Sequence, residues 1–306
     1  MPLVSVIIPV YNRAGFVEEA LASVRSQDYR DREILVVDDG STDDTAARCR
    51  AFGDEVRYIF QPHAGPAAAR NRGVAAATGR WIAFLDSDDS WTAGGLRDRM
   101  NALDGAGSEV GVVYADAIVI GPGRDAAERK VSDRRVPRAG DVSEALFREN
   151  FICTSTVVLR RDLFLAAGGF RSEYEPAEDL DLWLRIARRT MFAYVARPVA
   201  RYRVHPGALG ADRARAIGAE IRALEDHAAG PALRLPSGWR ARLARLHYFR
   251  GLLTLEERRG DARRCFGRSL RYRPLFPRAW ACWLASCAPG VGTRRTRRFL
   301  DALDLY

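Results

Sequence analysis

The chain has 306 residues, of which 47% are hydrophobic and 28% are charged. This balance is enough to build a sizeable core, and it excludes a wholly disordered protein. No apolar run approaches the roughly 20 residues that a membrane-spanning helix needs. Residues 3–10 are apolar but only as long as a strand, and no small-residue cleavage pattern follows them. We therefore expect neither a membrane anchor nor a secretory signal.

The net charge of +9 is distributed unevenly along the chain. Residues 1–205 carry 28 basic and 30 acidic side chains, whereas residues 206–306 carry 20 basic and 9 acidic ones. The basic region is either a solvated helical surface or a peripheral contact with anionic lipid. We expect no nucleic-acid partner.

Tryptophans near the end of the chain add to this pattern. Trp280 and Trp283 lie close to Arg278, Arg294 and Arg295. Tryptophan suits the interface between headgroups and acyl chains, and arginine can pair with lipid phosphates. The alternative is a terminal helix that packs both tryptophans onto neighbouring helices.

The cysteines and histidines form no recognised site. Five cysteines are an odd number, and their spacing matches neither a CxxC pair nor a zinc framework. Four scattered histidines contain no HExxH-type motif. We predict reduced thiols in a cytoplasmic protein.

Strand-like and helix-like segments alternate through the first 85 residues. Apolar runs predict buried strands at 4–10, 33–37, 56–60 and 81–85. Helical spacing predicts helices at 16–26 and 66–77. Ser41 or Thr42 is expected to cap another helix between them. This alternation predicts a parallel sheet with right-handed crossovers.

The remainder divides into an irregular middle and a helical end. The middle predicts strands at 110–120 and 154–159, a polar mobile loop at 121–140, helices at 163–167 and 179–189, and a strand pair at 192–204 split at Pro198. After His205, apolar residues follow helical spacing. We predict a first domain at 1–210 and a basic α-helical region at 211–306.

Acidic residues follow two of the predicted strands. Asp38 and Asp39 come after the second strand, and an Asp-Ser-Asp-Asp segment at 86–89 comes after the fourth. Ligands of parallel sheets gather at the carboxyl ends of the strands. Two acidic clusters at one edge therefore predict a site that binds a cation or a polar ligand, although either cluster alone also fits an ordinary polar loop.

Five segments of residues 1–205 carry a family resemblance. They are Val-Ser-Val-Ile-Ile-Pro-Val-Tyr-Asn at 4–12, Val-Asp-Asp-Gly-Ser at 37–41, Ala-Arg-Asn-Arg-Gly at 69–73, Phe-Leu-Asp-Ser-Asp-Asp at 84–89, and Glu-Asp at 178–179. In content and order they resemble the motifs of family 2 glycosyltransferases. The resemblance implies a GT-A fold. This is a nucleotide-sugar-binding, Rossmann-like α/β fold with a mostly parallel sheet flanked by helices. The helical end of the chain would be an extension of it.

The resemblance also implies an activity. It implies an inverting transfer of sugar from a nucleotide-diphosphate sugar, with a UDP-sugar favoured, to a hydroxyl acceptor. The acceptor implied is a bacterial glycan, lipid-linked saccharide or exopolysaccharide intermediate, and the cofactor is Mn²⁺ or Mg²⁺. The corresponding location is the cytoplasm, including the inner face of the membrane.

The metal is expected at the end of the fourth strand. Carboxylates are the hard ligands that these cations prefer. Alternate residues of an extended segment point the same way, so Asp86 and Asp88 are predicted to face one metal–diphosphate unit. By resemblance Asp88 is the direct ligand and Asp86 lies near the ribose and metal, with Asp89 supporting either. His205 is a further candidate metal or diphosphate contact, or else a structural loop residue.

Four residues are assigned to the donor. The resemblance suggests that Asp39 reads the base, because a carboxylate accepts the N3–H of uracil or thymine, or the N1–H of guanine. Tyr11 is expected to stack on the base, beside Pro9 of the first strand. Arg70 is expected to hold the diphosphate, or else to be a helix-surface arginine.

The catalytic base is expected at the second acidic motif. Asp179 is predicted to take the proton from the acceptor hydroxyl as it attacks the anomeric carbon. Its place at a helix start is expected to favour the ionised form, and an N-cap is the alternative role. Glu178 and Trp183 are assigned to acceptor contact or support.

Three other functions are alternatives to the activity that the resemblance implies. A processive synthase would carry a Gln-x-x-Arg-Trp segment and membrane helices, and neither occurs. A nucleotidyltransferase would normally show a Gly-rich basic loop after the first strand, where Tyr-Asn-Arg stands at 11–13. A catalytically degenerate binding module remains as the non-enzymatic alternative.

Overall fold

A computed structural model describes residues 3–121, 129–230, 235, 237–255 and 257–287. The chain divides into two compact units, Met1–Ala208 and Leu209–Tyr306. The first unit contains a mixed sheet with helices, and the second is helical.

The strands of the first unit agree closely with the predicted apolar runs. Their bounds are β1 Val4–Val10, β2 Arg32–Asp38, β3 Arg57–Phe60, β4 Trp81–Phe84, β5 Ser90–Trp91, β6 Val110–Ile120, β7 Arg129–Lys130, β8 Val158–Arg160 and β9 Met191–Arg203. The helices are α1 Val17–Arg25, α2 Thr45–Arg50, α3 Pro66–Ala76, α4 Gly95–Asp104, α5 Ser143–Arg148, α6 Arg161–Ala166 and α7 Glu178–Ile186.

The sheet is parallel over its first four strands and contains both parallel and antiparallel pairs beyond them. The strand order is β3-β2-β1-β4-β8-β6-β9-β5, with β7 paired to β6. β1 to β4 are mutually parallel, as predicted. β8 then runs antiparallel to both β4 and β6, so the predicted parallel arrangement applies to the first half of the unit. β6 and β9 form a second parallel pair.

Close packing of α3 on the sheet positions the site. β1 is buried along its whole length, because helices cover both faces of a parallel strand. At Gly73 of α3, an added Cβ would lie 2.4 Å from Cγ2 of Ile7. Only glycine therefore lets α3 approach β1 this closely, and this approach brings the Arg70 side chain to the sheet edge.

Three local predictions were wrong. The cap of α2 is Asp44, since Ser41 Oγ instead accepts the Asn12 N–H at 2.9 Å. Residues 154–156 form a 3₁₀ turn, and the last N–H of this turn donates to the Cys153 carbonyl. Strand β8 therefore begins only at Val158. Pro198 does not split β9, because a register shift opposite Asp116 accommodates the missing N–H.

The second unit is built from helices of the predicted spacing. They are α8 Arg213–Ala229, α9 Trp239–Thr254, α10 Arg259–Tyr272 and α11 Pro277–Cys287. Tyr248, Leu252 and Phe266 are central to its apolar core. Within the described part of the chain, no helix is long and apolar enough to cross a bilayer.

Candidate functional site

The carboxyl ends of the parallel strands bring the predicted motifs to one sheet edge. Val10 pairs with Asp38 at the ends of β1 and β2, and Ile7 pairs with Phe84 at the end of β4. The loops that follow these strands carry Tyr11, Asp39 and the acidic segment 86–89. The topological argument for a shared edge is therefore confirmed.

The acidic segment forms a turn, so its side chains diverge. The Asp89 N–H donates to the Asp86 carbonyl at 3.0 Å. Asp86 accepts from Arg70 at 2.6 Å, whereas Asp88 Oδ2 lies 2.9 Å from His205 Nε2. The extended segment assumed by the prediction is not formed, and the prediction that Asp86 and Asp88 face one metal–diphosphate unit stays a prediction.

The Asp88–His205 pair fits a divalent cation as two of its ligands. Asp88 supplies the carboxylate oxygen that Mg²⁺ and Mn²⁺ prefer, and His205 brings an imidazole nitrogen to within hydrogen-bond distance of it, 2.9 Å. The described residues contain no group of three or more His, Cys, Asp or Glu side chains placed to hold a metal. Mg²⁺ commonly takes its other ligands from substrate phosphates and water.

Arg13 is a cationic neighbour that the sequence interpretation missed. Its Nε lies 3.8 Å from Asp88 Oδ2, and its guanidinium donates to the Gly207 carbonyl at 2.8 Å. Arg13 directly follows Tyr11 and Asn12 at the end of β1. The position of Arg13 at this edge of the sheet was the signal by which the sequence could have identified it.

Asp89 is a buried anchor of the turn. It accepts from Ser155 Oγ at 2.5 Å and from the Arg203 N–H of β9 at 2.8 Å. Burial, followed by the nearby charge of Asp86, raises the pKa of the Asp89 carboxyl well above its usual range. These contacts give Asp89 a supporting role.

Arg70 connects two of the predicted motifs. Its guanidinium donates to Asp86 Oδ1 at 2.6 Å and to Glu178 Oε1 at 2.8 Å. Burial opposes its charge, but the two carboxylates outweigh burial and keep the pKa of Arg70 above its usual value. Arg70 is 5% exposed, which excludes the helix-surface alternative.

Glu178 keeps one oxygen free of protein donors. Its Oε1 is held by Arg70, whereas the buried Oε2 has no hydrogen-bond partner among the described residues. A buried unpaired carboxylate oxygen is costly, and such atoms require a specific explanation. Oε2 is an acceptor available to a ligand hydroxyl.

Asp179 is the second residue of α7 and is partly buried. Its Oδ1 accepts the Leu180 N–H at 2.7 Å, and its Oδ2 accepts Asn150 Nδ2 at 3.1 Å. Ala177 is the N-cap, so the capping alternative is excluded. Burial, followed by the charge of Glu178, raises the pKa of Asp179 to about 6. The expectation that the helix start favours the ionised form was wrong, because these two effects dominate.

Trp183 lies inside the fold rather than in a groove. It is fully buried, and its ring meets Phe170 edge-on with centroids 6.3 Å apart. Phe170 in turn lies 5.3 Å beneath the Arg70 guanidinium. Trp183 therefore supports the site through packing. Asp181, two residues after Asp179, is instead paired with Arg185 at 2.5 Å.

Asp39 is saturated by the loop that follows β3. Its Oδ1 accepts from Gln61 Nε2 at 2.7 Å and from the Ala64 N–H at 2.9 Å. Its Oδ2 accepts the Gly65 N–H at 2.9 Å and lies 2.8 Å from His63 Nδ1. That Asp39 recognises the base of the nucleotide-sugar donor stays a prediction.

Tyr11 and His63 form an aromatic pair at this end of the site. Tyr11 is 40% exposed, and its ring stacks on His63 with centroids 4.1 Å apart. His63 was set aside in the sequence because it belongs to no metal motif. Its place just after β3, at the same edge as the other loops, was the signal that could have identified it.

The neighbouring strand-end residues have structural roles. Asp38 Oδ1 accepts the Ser41 N–H at 2.8 Å, and its Oδ2 accepts Tyr58 Oη at 2.5 Å. Asp38 is therefore a turn residue rather than a free ligand-binding carboxylate. Pro9 is buried within β1.

Comparison with known sequences agrees with the motif order. Residues 5–166 match the model of glycosyl transferase family 2. The chain is 28% identical over 205 residues to an uncharacterized glycosyltransferase of Rickettsia prowazekii, covering 67% of this chain and 64% of that protein. It is 30% identical over 210 residues to the amylovoran biosynthesis glycosyltransferase AmsB of Erwinia amylovora, covering 65% of this chain and 68% of AmsB. The chain thus spans just under two thirds of the Rickettsia protein.

Solved structures share the fold. S. aureus TarS 1–349 in complex with UDP-GlcNAc superimposes with a TM-score of 0.69 at 18% identity, covering 94% of this chain and 89% of that chain. The mannosyltransferase PcManGT from Pyrobaculum calidifontis, in complex with GDP-Man and Mn²⁺, gives a TM-score of 0.60 at 22% identity, covering 98% and 83%. These matches confirm the predicted GT-A fold class. Taken with the family match over more than half its length, they establish that the chain belongs to glycosyl transferase family 2.

Proposed function

We propose that this chain transfers a sugar from a nucleotide-diphosphate sugar to a hydroxyl acceptor with inversion of the anomeric configuration. The observation that carries the proposal is the Asp179 carboxyl, whose pKa is raised to about 6. A general base works best when its pKa lies near the operating pH. At neutral pH Asp179 is ionised, yet it binds a proton more tightly than an ordinary aspartate.

The acceptor hydroxyl is activated at the start of α7. Asp179 takes the hydroxyl proton as the oxygen attacks the anomeric carbon, opposite the leaving diphosphate. The free Oε2 of Glu178 accepts a second hydroxyl of the acceptor and orients it. Arg70 holds Glu178 in place through Oε1. One carboxylate acting in a single displacement inverts the anomeric configuration.

The diphosphate is handled at the Asp88 end of the site. A divalent cation bound by Asp88 and His205 would neutralise the charge that develops on the leaving group. Arg13, 3.8 Å from Asp88, supplies a positive charge from the chain itself. Asp86 is committed to Arg70 and acts by positioning that guanidinium.

The donor nucleotide is proposed to be UDP, with GDP as the second candidate. A structural neighbour was solved with UDP-GlcNAc and another with GDP-Man and Mn²⁺. Both bases offer a ring N–H that the Asp39 carboxylate can accept. Relatives named for amylovoran and PGL/p-HBAD biosynthesis support a glycan or lipid-linked saccharide as the acceptor.

The proposal is tested by a donor screen. UDP-, GDP- and dTDP-sugars are incubated with the protein and Mn²⁺, and release of the nucleoside diphosphate is measured with and without EDTA. We expect turnover with one nucleotide class, abolished by EDTA and restored by Mn²⁺ or Mg²⁺. Binding of a nucleotide without turnover of any sugar donor would favour the catalytically degenerate binding module. Full activity in EDTA would contradict the proposed metal requirement.

We further propose peripheral membrane contact by α11. Trp280 and Leu284, one turn apart on this helix, are 46% and 58% exposed. The nearby Arg278 is exposed, whereas Trp283 packs against the apolar core. Exposed aromatic and basic side chains together suit an anionic lipid surface. The predicted contributions of Arg294 and Arg295 lie outside the described residues.

Vesicle flotation tests the contact. The full chain should float with phosphatidylglycerol vesicles at low salt, less at high salt, and not with phosphatidylcholine. Trp280→Ser should reduce flotation severalfold. Leu165→Ser is the matched control, since Leu165 is 50% exposed in the first unit. Equal losses in both variants, or no flotation of the unchanged chain, would contradict a contact through α11.

A further inference from the structure

His63 occupies the position expected of a nucleobase. Its imidazole stacks on Tyr11 with centroids 4.1 Å apart and planes inclined by 26°. Its Nδ1 lies 2.8 Å from Oδ2 of Asp39. The hydrogen bond of Nδ1 is made to the main-chain carbonyl of Asp39, at 3.1 Å. Stacking on Tyr11 and a place against the Asp39 carboxylate are the two contacts that the sequence predicts for the base. One side chain of the protein makes both of them.

The Asp39 carboxylate has no acceptor position left while His63 is in place. A carboxylate offers about four acceptor sites, two on each oxygen. Gln61 and the Ala64 N–H donate to Oδ1 and the Gly65 N–H donates to Oδ2, while the His63 ring covers the remaining position with Nδ1 2.8 Å from Oδ2. A base can be read by this carboxylate only after one of these three donors or the His63 ring leaves.

His63 is the group best able to leave. Two of the three donors are main-chain amides, and the third, the Gln61 side chain, is only partly exposed. The His63 side chain is 56% exposed, so rotation carries it into solvent. Its backbone is fixed meanwhile by close packing on Gly40, where an added Cβ would lie 2.9 Å from the His63 nitrogen.

We propose that His63 is a specificity-determining gate of the nucleotide site, resting on the proposed function of a nucleotide-sugar donor. The closed imidazole stands in for the base, and a ligand opens the gate by supplying an aromatic face for Tyr11 and an N–H for Asp39. Uracil and thymine provide N3–H, and guanine provides N1–H. Pyrophosphate provides neither and does not compete with His63.

The gate predicts a gain of affinity when it is removed. In the unchanged protein, the base must replace the stacking of His63 on Tyr11 and its place against the Asp39 carboxylate. An aromatic pair corresponds to up to about tenfold in a binding constant. His63→Ala should therefore bind the cognate nucleotide up to about tenfold more tightly. If His63 were instead a side chain that lines the pocket, its removal would weaken nucleotide binding.

Isothermal titration of the full chain tests this. UDP, GDP and dTDP are titrated with Mn²⁺ into the unchanged protein, His63→Ala and Gln61→Ala, and pyrophosphate serves as the ligand without a base. We expect tighter binding of one nucleotide to His63→Ala only, and equal pyrophosphate affinity in all three proteins. Gln61→Ala frees Asp39 Oδ1 but leaves Tyr11 covered, so it should not tighten binding.

The outcomes separate the gate from the proposed function. Nucleotide binding that is unchanged or weaker in His63→Ala overturns the gate and leaves the function standing. A parallel gain for pyrophosphate overturns it too, because the effect would not depend on the base. If none of the three nucleotides binds either protein, both the function and the gate fail.

Discussion

Two carboxylates in the site, Asp39 after β2 and Asp179 at the start of α7, have contrasting environments. The Asp39 carboxylate accepts three hydrogen bonds from one loop, and His63 Nδ1 of the same loop lies 2.8 Å from its Oδ2. Among the described residues, Asp179 receives only Asn150 Nδ2 and the Leu180 N–H, and it adjoins the negatively charged Glu178. The same residue type is therefore a saturated acceptor in one region and a proton-binding group in the other.

The contrast shows how environment divides function between identical side chains. Hydrogen bonds donated to a carboxylate stabilise its ionised form, whereas burial and a like charge destabilise it. A saturated carboxylate suits recognition, since a ligand must match the group that it displaces. A carboxylate with few donors and a pKa of about 6 suits proton abstraction.

The largest expected effect comes from neutralising Asp179. Asp179→Asn should lower kcat by about 10²–10⁴-fold, the usual contribution of a positioned base. Donor affinity should be unchanged, because the substitution leaves Asp39 and Asp88 intact. Steady-state kinetics and titration of the donor nucleotide measure the two quantities.

Asp162→Asn is a matched control for this substitution. Asp162 is likewise the second residue of a helix, and its Oδ1 accepts the next N–H, that of Leu163, at 2.8 Å. Its side chain is 70% exposed and lies outside the site. Full activity is expected of Asp162→Asn. Loss of donor affinity with unchanged turnover in Asp179→Asn would instead make Asp179 a donor ligand.

A second effect concerns the link between the two motifs. Arg70→Met leaves the buried Glu178 carboxylate without its cation, which typically costs about 3–5 kcal/mol. Urea denaturation, monitored by tryptophan fluorescence, measures the loss in the free energy of unfolding. Arg97→Met is the control, because the Arg97–Asp28 pair is about half exposed and worth under about 1 kcal/mol. Equal losses would show that Arg70 does not link Asp86 to Glu178.

The smallest expected effect is a gain in stability. Because folding raises the pKa of Asp179, the ionised group disfavours the folded state, and this cost is present at neutral pH and absent well below pH about 4. Asp179→Asn should therefore stabilise the fold by about 1 kcal/mol at pH 7, after allowance for partial exposure. Thermal unfolding at pH 7 measures the gain, and a lower Tm would contradict the assigned cost.

Local pattern sufficed to predict most of the fold. β1 has the predicted bounds because its uninterrupted apolar run is buried along its whole length, and β6 has them although Asp116 interrupts its apolar run. The predictions of the fold failed where tertiary contacts determine the local structure. A β-bulge opposite Asp116 keeps Pro198 inside β9, and the antiparallel β8 could not be inferred from strand–helix alternation.

The site was predicted in its residue types more than in its geometry. Asp88 and His205, far apart in sequence, do meet. The turn at 86–89 sends Asp86 to Arg70 instead, because side-chain direction depends on backbone conformation that spacing alone does not specify. His63 was missed because its role comes from neighbours brought together by folding, not from a motif.

The pH dependence of kcat/KM tests the central claim, that Asp179 is the general base, most directly. Asp179 must be ionised to accept a proton, so activity should be full above its pKa and fall tenfold per pH unit below about 6. Glu178 and Arg70 are the charged groups that face this carboxyl, and both remain in Asp179→Asn. That variant should lose the acid limb along with most of its activity. A flat profile between pH 5 and 8 in the unchanged protein, or an identical acid limb in Asp179→Asn, would contradict the assignment.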